Sequence, residues 1–269
     1  MRFEELDARM RALEQYGEIR VTPGTFPVAR LDGRAFTGLT KKVLELERPF
    51  DERFRDLMVA TAEHTMTTGV KILYAFIQSD EISLLIDPAS PAFGRRVLKI
   101  CSILAGEASG FLSVALSRPV CFDCRLAELP TEEEVVDYFR WRAEDARRNG
   151  LRSHAYWMLR RQGKSGRAAE RVLTNATPRD VEGLLAENDV RIADLPAWHT
   201  RGIAVQWERI TVIGRDPRTG EERPAERRRL TRLLSPPRGD ELEAHLRTLL
   251  TSSRDGEVPS TKQEEAMSA

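Results

Sequence analysis

With 269 residues, 41% of them hydrophobic, the chain can fill one sizeable core with appendages or two small ones. Its 42 basic and 42 acidic side chains cancel, which excludes a globally basic nucleic-acid binder and leaves any such role to a local surface. No apolar run approaches the roughly 20 residues of a membrane span, and MRFEELDARM is too charged for a secretory signal. Three cysteines cannot all pair, so the expectation is a reduced, cytoplasmic, globular enzyme.

In chain order, a short helix is predicted over Glu4 to Tyr16, then a strand over Phe26 to Leu31 running into an Asp32-Gly33 turn. A helix follows from Asp51, because Phe50, Phe54, Leu57, Met58 and Thr61 recur at three- and four-residue spacing. Two strands near Ile72 to Ile77 and Ile82 to Ile86, separated by QSDE, read as a hairpin. Val97, Ile100, Cys101, Leu104 and Ala108 share one face of a helix over Ala92 to Ala108, and a strand fits Val120 to Leu126. Thr131, with Glu134 three residues on, caps a helix whose stripe is Val135, Phe139, Ala143 and Ala146.

Between Arg140 and Arg171, ten positive residues face three negative ones, a candidate polyanion surface or an ordinary solvated helix face. Residues 209–229 alternate apolar and charged positions around GRDPRTGEERP and read as a polar hairpin. The tail has almost no apolar content and is expected to be disordered. The domain reading is a palm-like unit over 1–130, a helical and hairpin region over 131–251 that contributes to RNA binding, and a tail over 252–269.

The order β-α-β-β-α-β is the split pattern of a ferredoxin-like α+β fold with an antiparallel sheet, in which the first strand lies beside the third. Asp32 then meets the QSDE turn carrying Asp80 and Glu81, so that two or three carboxylates share a sheet edge. Such clusters are costly without cations, and two divalent ions about 4 Å apart are the usual solution at a phosphoryl-transfer site. Magnesium suits all-oxygen ligands. Gly33, lacking a side chain, lets its carbonyl approach a metal and the amides of Arg34, Ala35 and Phe36 face a phosphate chain.

RLDGRAF, QSDE, FDCR with Asp123 and Arg125, EEVVDYFRWRAEDARRNGL and DLPAWHTRG together cover about residues 28 to 203. In that order they resemble the tRNA-histidine guanylyltransferase-like family of 3′-to-5′ polymerases, in particular its bacterial branch. The resemblance implies a palm-like domain working with two magnesium ions. Asp32 and Asp80 would be the catalytic carboxylates and metal ligands, joined by the Gly33 carbonyl. Residues 33 to 37 (Gly33, Arg34, Ala35, Phe36, Thr37), Ser79 and the basic Arg48 would hold the nucleoside triphosphate, and Glu81 would be a neighbour. The implied reaction activates a tRNA 5′ phosphate with ATP or GTP, after which the 3′-hydroxyl of an incoming nucleotide attacks it. A homo-tetramer is also implied.

Where readers of the histidine anticodon carry a histidine-initiated, asparagine-rich stretch, this chain has RRNGLRS, with Arg147 in the histidine's place and Asn149 alone keeping the pattern. This departure favours repair of truncated tRNA, with Arg147, Arg148, Asn149 and Arg152 contacting RNA and the arginines meeting phosphate rather than base. A palm-type nucleotide or dinucleotide cyclase and a non-catalytic RNA-binding protein are the rival readings. The CFDC spacing lacks a second pair for zinc. Most of Trp141, Trp157, Trp198 and Trp207 are expected in an aromatic core.

Overall fold

Val28, Ala29 and Leu31 are fully buried in β1, Phe26–Gly33, which extends two residues beyond its apolar run because Asp32 is still paired with Glu81 and Asp123, and Gly33 with Phe122. The computed structural model describes residues 2–14, 16–215, 218 and 220–254. It divides into two units, one of residues 1–46 and 52–135, the other of residues 47–51 and 136 onward.

In the first unit, α1 (Phe3–Arg11) stops short of its predicted end and buries no residue. After β1 come the single turn α2 (Phe36–Gly38), a π-turn over Leu39–Val43, and α3 (Glu52–Thr65). The hairpin is β2 (Ile72–Gln78) and β3 (Glu81–Ile86), closed by Ser79 and Asp80, with Ser79 at φ 50°. The helix predicted from Ala92 is instead a 3₁₀ turn over Ala92–Arg95 followed by α4 (Val97–Ala115), because Phe93, Gly94 and Arg95 have positive φ. β4 is Phe122–Leu129.

Antiparallel pairing gives the strand order β4-β1-β3-β2, the arrangement expected of the split pattern. Ile100, Leu104, Ala108 and Leu112 form the buried stripe of α4. By length and composition α4 is apolar enough to cross a membrane, which corrects the expectation that no such run exists.

The second unit is built around α5 (Glu132–Arg161), whose start in the first unit has the expected capping box. Thr131 Oγ1 accepts from Glu134 N–H (3.3 Å), and Thr131 N–H donates to Glu134 Oε2 (3.1 Å). Leu151, Ala155, Met158 and Leu159 pack on α6 (Gly166–Leu173) and α7 (Pro178–Ala186) through Ala169, Leu173, Val181 and Leu185. Then come α8 (Trp198–Arg201), β5 (Ile203–Arg215), β6 (Glu222–Leu233) and α9 (Gly239–Arg254).

Strands β5 and β6 form the predicted hairpin; residues 216, 217 and 219 at its tip lie outside the described residues. Helix α9 continues through residues expected to be tail, because Leu242, Leu246, Leu249 and Leu250 give it a buried stripe. The rest of that tail, 255–269, lies outside the described residues. No tryptophan is fully buried, against expectation: Trp141 is 54% exposed. Guanidinium groups lie over indole rings, Arg142 on Trp141 (4.3 Å), Arg48 on Trp157 (5.4 Å) and Arg228 on Trp207 (4.8 Å). An exposed indole face serves that contact better than a core position.

Candidate active site

Directly opposed residues in a sheet share a face, so the register builds the site row by row. Asp123 of β4, Asp32 of β1 and Glu81 of β3 stand in one row, and one step further in stand Arg125, Arg30 and Ser83. The arginines serve the two outer acids: Arg30 Nε lies 3.8 Å from Glu81, and Arg125 Nη2 lies 3.5 Å from Asp123. Asp32, at the centre, has no cationic partner among the described residues, and neither has Asp80 in the adjoining turn. The turn is fastened to β1 by a hydrogen bond from Gly33 N–H to the Asp80 carbonyl (3.1 Å).

Burial pushes the Asp80 carboxyl above the ordinary range. Hydrogen bonds from Ser79 and from its own amide pull it down, and the charge of Asp32 pushes it up. A half-buried carboxylate beside another, with no internal counter-charge, is the electrostatic condition that a bound divalent cation relieves.

No group of three or more His, Cys, Asp or Glu converges as a metal cage among the described residues. Two carboxylates and a backbone carbonyl nevertheless fit magnesium, which keeps several waters and is usually held by one or two carboxylates plus substrate phosphates.

Gly33 is required by packing as well. A Cβ there would lie 2.5 Å from the Phe36 ring, which is buried edge-on against Phe122 (5.1 Å) and Phe54 (6.4 Å). Thus the LDGRAF stretch turns back on itself: Ala35 adopts φ 62° and the aromatic folds over the glycine. The Arg34 amide, expected to face phosphate, instead donates to the Cys121 carbonyl (2.9 Å). The amides of Ala35, Phe36 and Thr37 donate no backbone hydrogen bond among the described residues, the first intrahelical bond running from Gly38 N–H to Ala35 O (3.0 Å). Arg34, Ala35, Thr37 and Ser79 are exposed.

Arg48 belongs to the second unit, where its carbonyl accepts from Arg161 (2.7 Å) and its guanidinium lies over Trp157. Of the four residues assigned to RNA, Arg147 is paired with Glu182, Arg152 with Glu170 (2.7 Å) and the Leu173 carbonyl (2.6 Å), and Asn149 with Asp145 (3.2 Å). Arg140 and Arg142 are likewise engaged, by Glu243 (2.8 Å) and Asp145 (2.8 Å). Arg148, Arg160, Lys164, Arg167 and Arg171 stay exposed without an ion pair among the described residues. Sequence reasoning saw the excess of positive charge but not the acids of α7 and α9 that answer part of it. It also missed the acid row through Asp123, which two-residue alternation in FDCR would have shown once β4 was paired with β1.

Fold and site together define an α+β palm with two uncompensated carboxylates at a hairpin turn. A family model described as tRNAHis guanylyltransferase matches residues 7–130, and one described as the C-terminal domain of that enzyme matches residues 133–239. The chain belongs to this family, whose members are nucleotidyltransferases.

A probable tRNA(His) guanylyltransferase of Drosophila melanogaster is 29% identical over 208 residues, covering 74% of this chain and 72% of that protein. The tRNA(His) guanylyltransferase of Neurospora crassa is 33% identical over 175 residues, covering 61% of this chain and 59% of that protein, so the match spans less than two thirds of its length. In fold, the chain resembles a bacterial tRNA(His) guanylyltransferase-like protein solved with GTP, at TM-score 0.69 and 23% identity, covering 91% of this chain and 99% of that one. It also resembles the Saccharomyces cerevisiae enzyme, at TM-score 0.66 and 23% identity, covering 73% of this chain and 91% of that one.

Proposed function

We propose that the chain is a cytoplasmic, magnesium-dependent 3′-to-5′ nucleotidyltransferase that restores nucleotides to the 5′ end of truncated tRNA after activating the 5′ phosphate with ATP or GTP. The observation that carries this reading is the Asp32 and Asp80 pair, two adjacent carboxylates without a cationic partner among the described residues, beside a glycine-linked turn whose Ala35, Phe36 and Thr37 amides donate no backbone bond there. The site is of the kind that holds divalent cations and a phosphate chain.

Asp32, Asp80 and the Gly33 carbonyl would hold magnesium, which when bound lowers the pKa of an attacking hydroxyl and neutralises departing phosphates. The chain's own groups then align the reactants. The Phe36 and Thr37 amides, with Ser79, meet the triphosphate, while the hydrogen bond from Gly33 to Asp80 keeps the two carboxylates in fixed relation. The exposed cations Arg148, Arg160, Lys164, Arg167 and Arg171 supply a sequence-independent surface for RNA phosphate. Pairing with the opposite strand, rather than the protein, then selects the added base, in keeping with Arg147 standing where anticodon readers carry histidine.

The test compares 5′-truncated tRNAs differing in anticodon and in the base opposite the gap, with product ends sequenced. Addition of the complementary base whatever the anticodon supports the proposal. A strict need for the histidine anticodon, or guanosine added regardless of the opposing base, points to a dedicated guanylyltransferase. Cyclic products from nucleotide and magnesium alone would replace it with a cyclase. Sedimentation at working concentration tests the homo-tetramer that the resemblance implies.

A further inference from the structure

The cations that folding leaves without an acid are not confined to α5 and α6. Arg201 ends α8, and Arg238 stands in the turn just before α9. Because β5 and β6 pair with Ala204 opposite Leu233, the chain entering this hairpin lies beside the chain leaving it. Across that neck Arg201 Nη1 donates to Ser235 Oγ (2.9 Å), and Arg238 Nη2 donates to the Thr200 carbonyl and Oγ1 (3.4 Å each). Helix α8 in turn rests on α5, where a Cβ at Gly150 would lie 2.1 Å from the His199 carbonyl oxygen and 3.2 Å from Thr200 Cα. Arg147 stands about one helical turn before that contact. Three guanidiniums from three elements therefore converge. Burial first, then the charges of Arg201 and Arg147, hold the Arg238 guanidinium below its ordinary range, and Glu144 pulls it up.

The acids at hand answer other arginines. Arg147 is paired with Glu182 and lies 3.9 Å from Glu144, and Asp240, two residues beyond Arg238, turns to Arg140 (3.6 Å). No carboxylate lies within ion-pair distance of Arg201 or Arg238 among the described residues. Ser235 and Thr200 accept as neutral oxygens, so they aim the two forks without cancelling their charge, and most N–H donors of each fork stay unused. We propose that Arg201 and Arg238 form a binding site for a phosphate group. A guanidinium offers paired N–H donors that match two phosphate oxygens, and the Ser235 and Thr200 hydroxyls keep their own hydrogens to donate. Fastening the neck alone would need no charge: neutral donors would make the same bonds without setting Arg238 against Arg201 and Arg147. A phosphodiester of an RNA strand and the phosphate chain of a free nucleotide share this chemistry. That choice of sources rests on the function proposed above, so binding is measured without turnover.

The experiment takes the full chain and its Arg201→Ala, Arg238→Ala and Ser235→Ala variants. It measures tRNA by filter retention across a salt series, GTP with magnesium by equilibrium dialysis, and thermal melting. Each arginine variant should bind one of the two probes about tenfold more weakly, the scale of one charge-assisted contact. A tRNA salt slope reduced by about one unit, with GTP unchanged, assigns the site to RNA phosphate. Weaker GTP binding with an unchanged slope assigns it to nucleotide phosphates. Ser235→Ala removes a neutral oxygen and no charge, and should leave both affinities near those of the wild type. Full affinity for both probes in either arginine variant, or a loss that Ser235→Ala matches at equal cost in melting temperature, would overturn the proposal. A wild type that adds no nucleotide, with phosphate affinity still lost in the arginine variants, would overturn the function proposed above and leave this site standing.

Discussion

Asp32 and Asp80 in the first unit have no cationic partner among the described residues, whereas most of the arginines of α5 between Arg140 and Arg152 in the second unit are answered by acids from α5, α6, α7 and α9. In sequence both regions look like one-sign clusters. In the fold they part, because a partner distant in sequence can neutralise a charge while leaving the local count unchanged. Charge that folding leaves unneutralised is costly unless a ligand meets it, so it marks a site better than density of charge does. Within α5 the same distinction separates Arg147 and Arg152, which hold α7 and α6, from Arg148, which holds nothing among the described residues.

The comparison breaks most decisively at the carboxylates. Asp32→Ala and Asp80→Ala should each lower nucleotide addition by at least about a thousand-fold, the scale of losing an essential charged group from a transition-state site. Far-ultraviolet circular dichroism should be unchanged. Addition near the wild-type rate in either variant would mean that the uncompensated pair is not the metal site.

Two glycines extend the contrast from charge to packing. A Cβ at Gly150 of α5 would lie 2.1 Å from the His199 carbonyl oxygen, a backbone atom that cannot swing aside. Gly150→Ala should therefore cost about 1–3 kcal/mol and several degrees of melting temperature. Gly33→Ala meets the Phe36 ring instead and should weaken triphosphate binding by displacing the turn that presents the Phe36 and Thr37 amides. Equal losses of stability and nucleotide affinity in both variants would show that neither glycine is specific to its region.

Among the arginines, Arg148→Ala should leave the melting temperature within a degree and reduce the salt slope of tRNA binding by about one unit, the signature of a single lost phosphate contact. Arg147→Ala should lower stability modestly by stranding Glu182, with a smaller change in slope. Filter binding across a salt series, paired with melting curves, separates the two. The reverse ranking would mean that RNA recruits Arg147 away from Glu182.

Much of this was legible in the sequence because it rests on local rules. The alternation in Phe26 to Leu31, the QSDE turn and the Thr131–Glu134 box each specify their element from neighbouring residues alone, and their order implies that β1 lies beside β3. What was not legible depends on register and distant partners. The acid row through Asp123 needs the pairing of β4 with β1, the ion pairs of Arg147 and Arg140 need α7 and α9, and the Arg34 amide is taken by a carbonyl 87 positions away at Cys121. The 3₁₀ break before α4 was missed because Phe93 and Arg95 take positive φ without an obvious sequence cue.

The smallest expected effect is also the most direct measure of the missing counter-charge. Burial and the neighbouring Asp32 raise the Asp80 pKa in the folded state, so at intermediate pH the folded chain holds this proton more tightly than the unfolded one. Stability from this group is therefore complete below the ordinary carboxylate pKa and is lost as pH rises through the folded value. Asp80→Asn removes that titration, so in metal-free buffer its melting temperature relative to wild type should increase from acidic to neutral pH by a degree or two, then level off. Magnesium at neutral pH should raise the wild-type value and leave the variant nearly unchanged, because only the wild type keeps the second carboxylate for the cation. A difference that does not vary with pH would mean that Asp80 is neutralised within the chain, and the contrast with the arginines of α5 would then collapse.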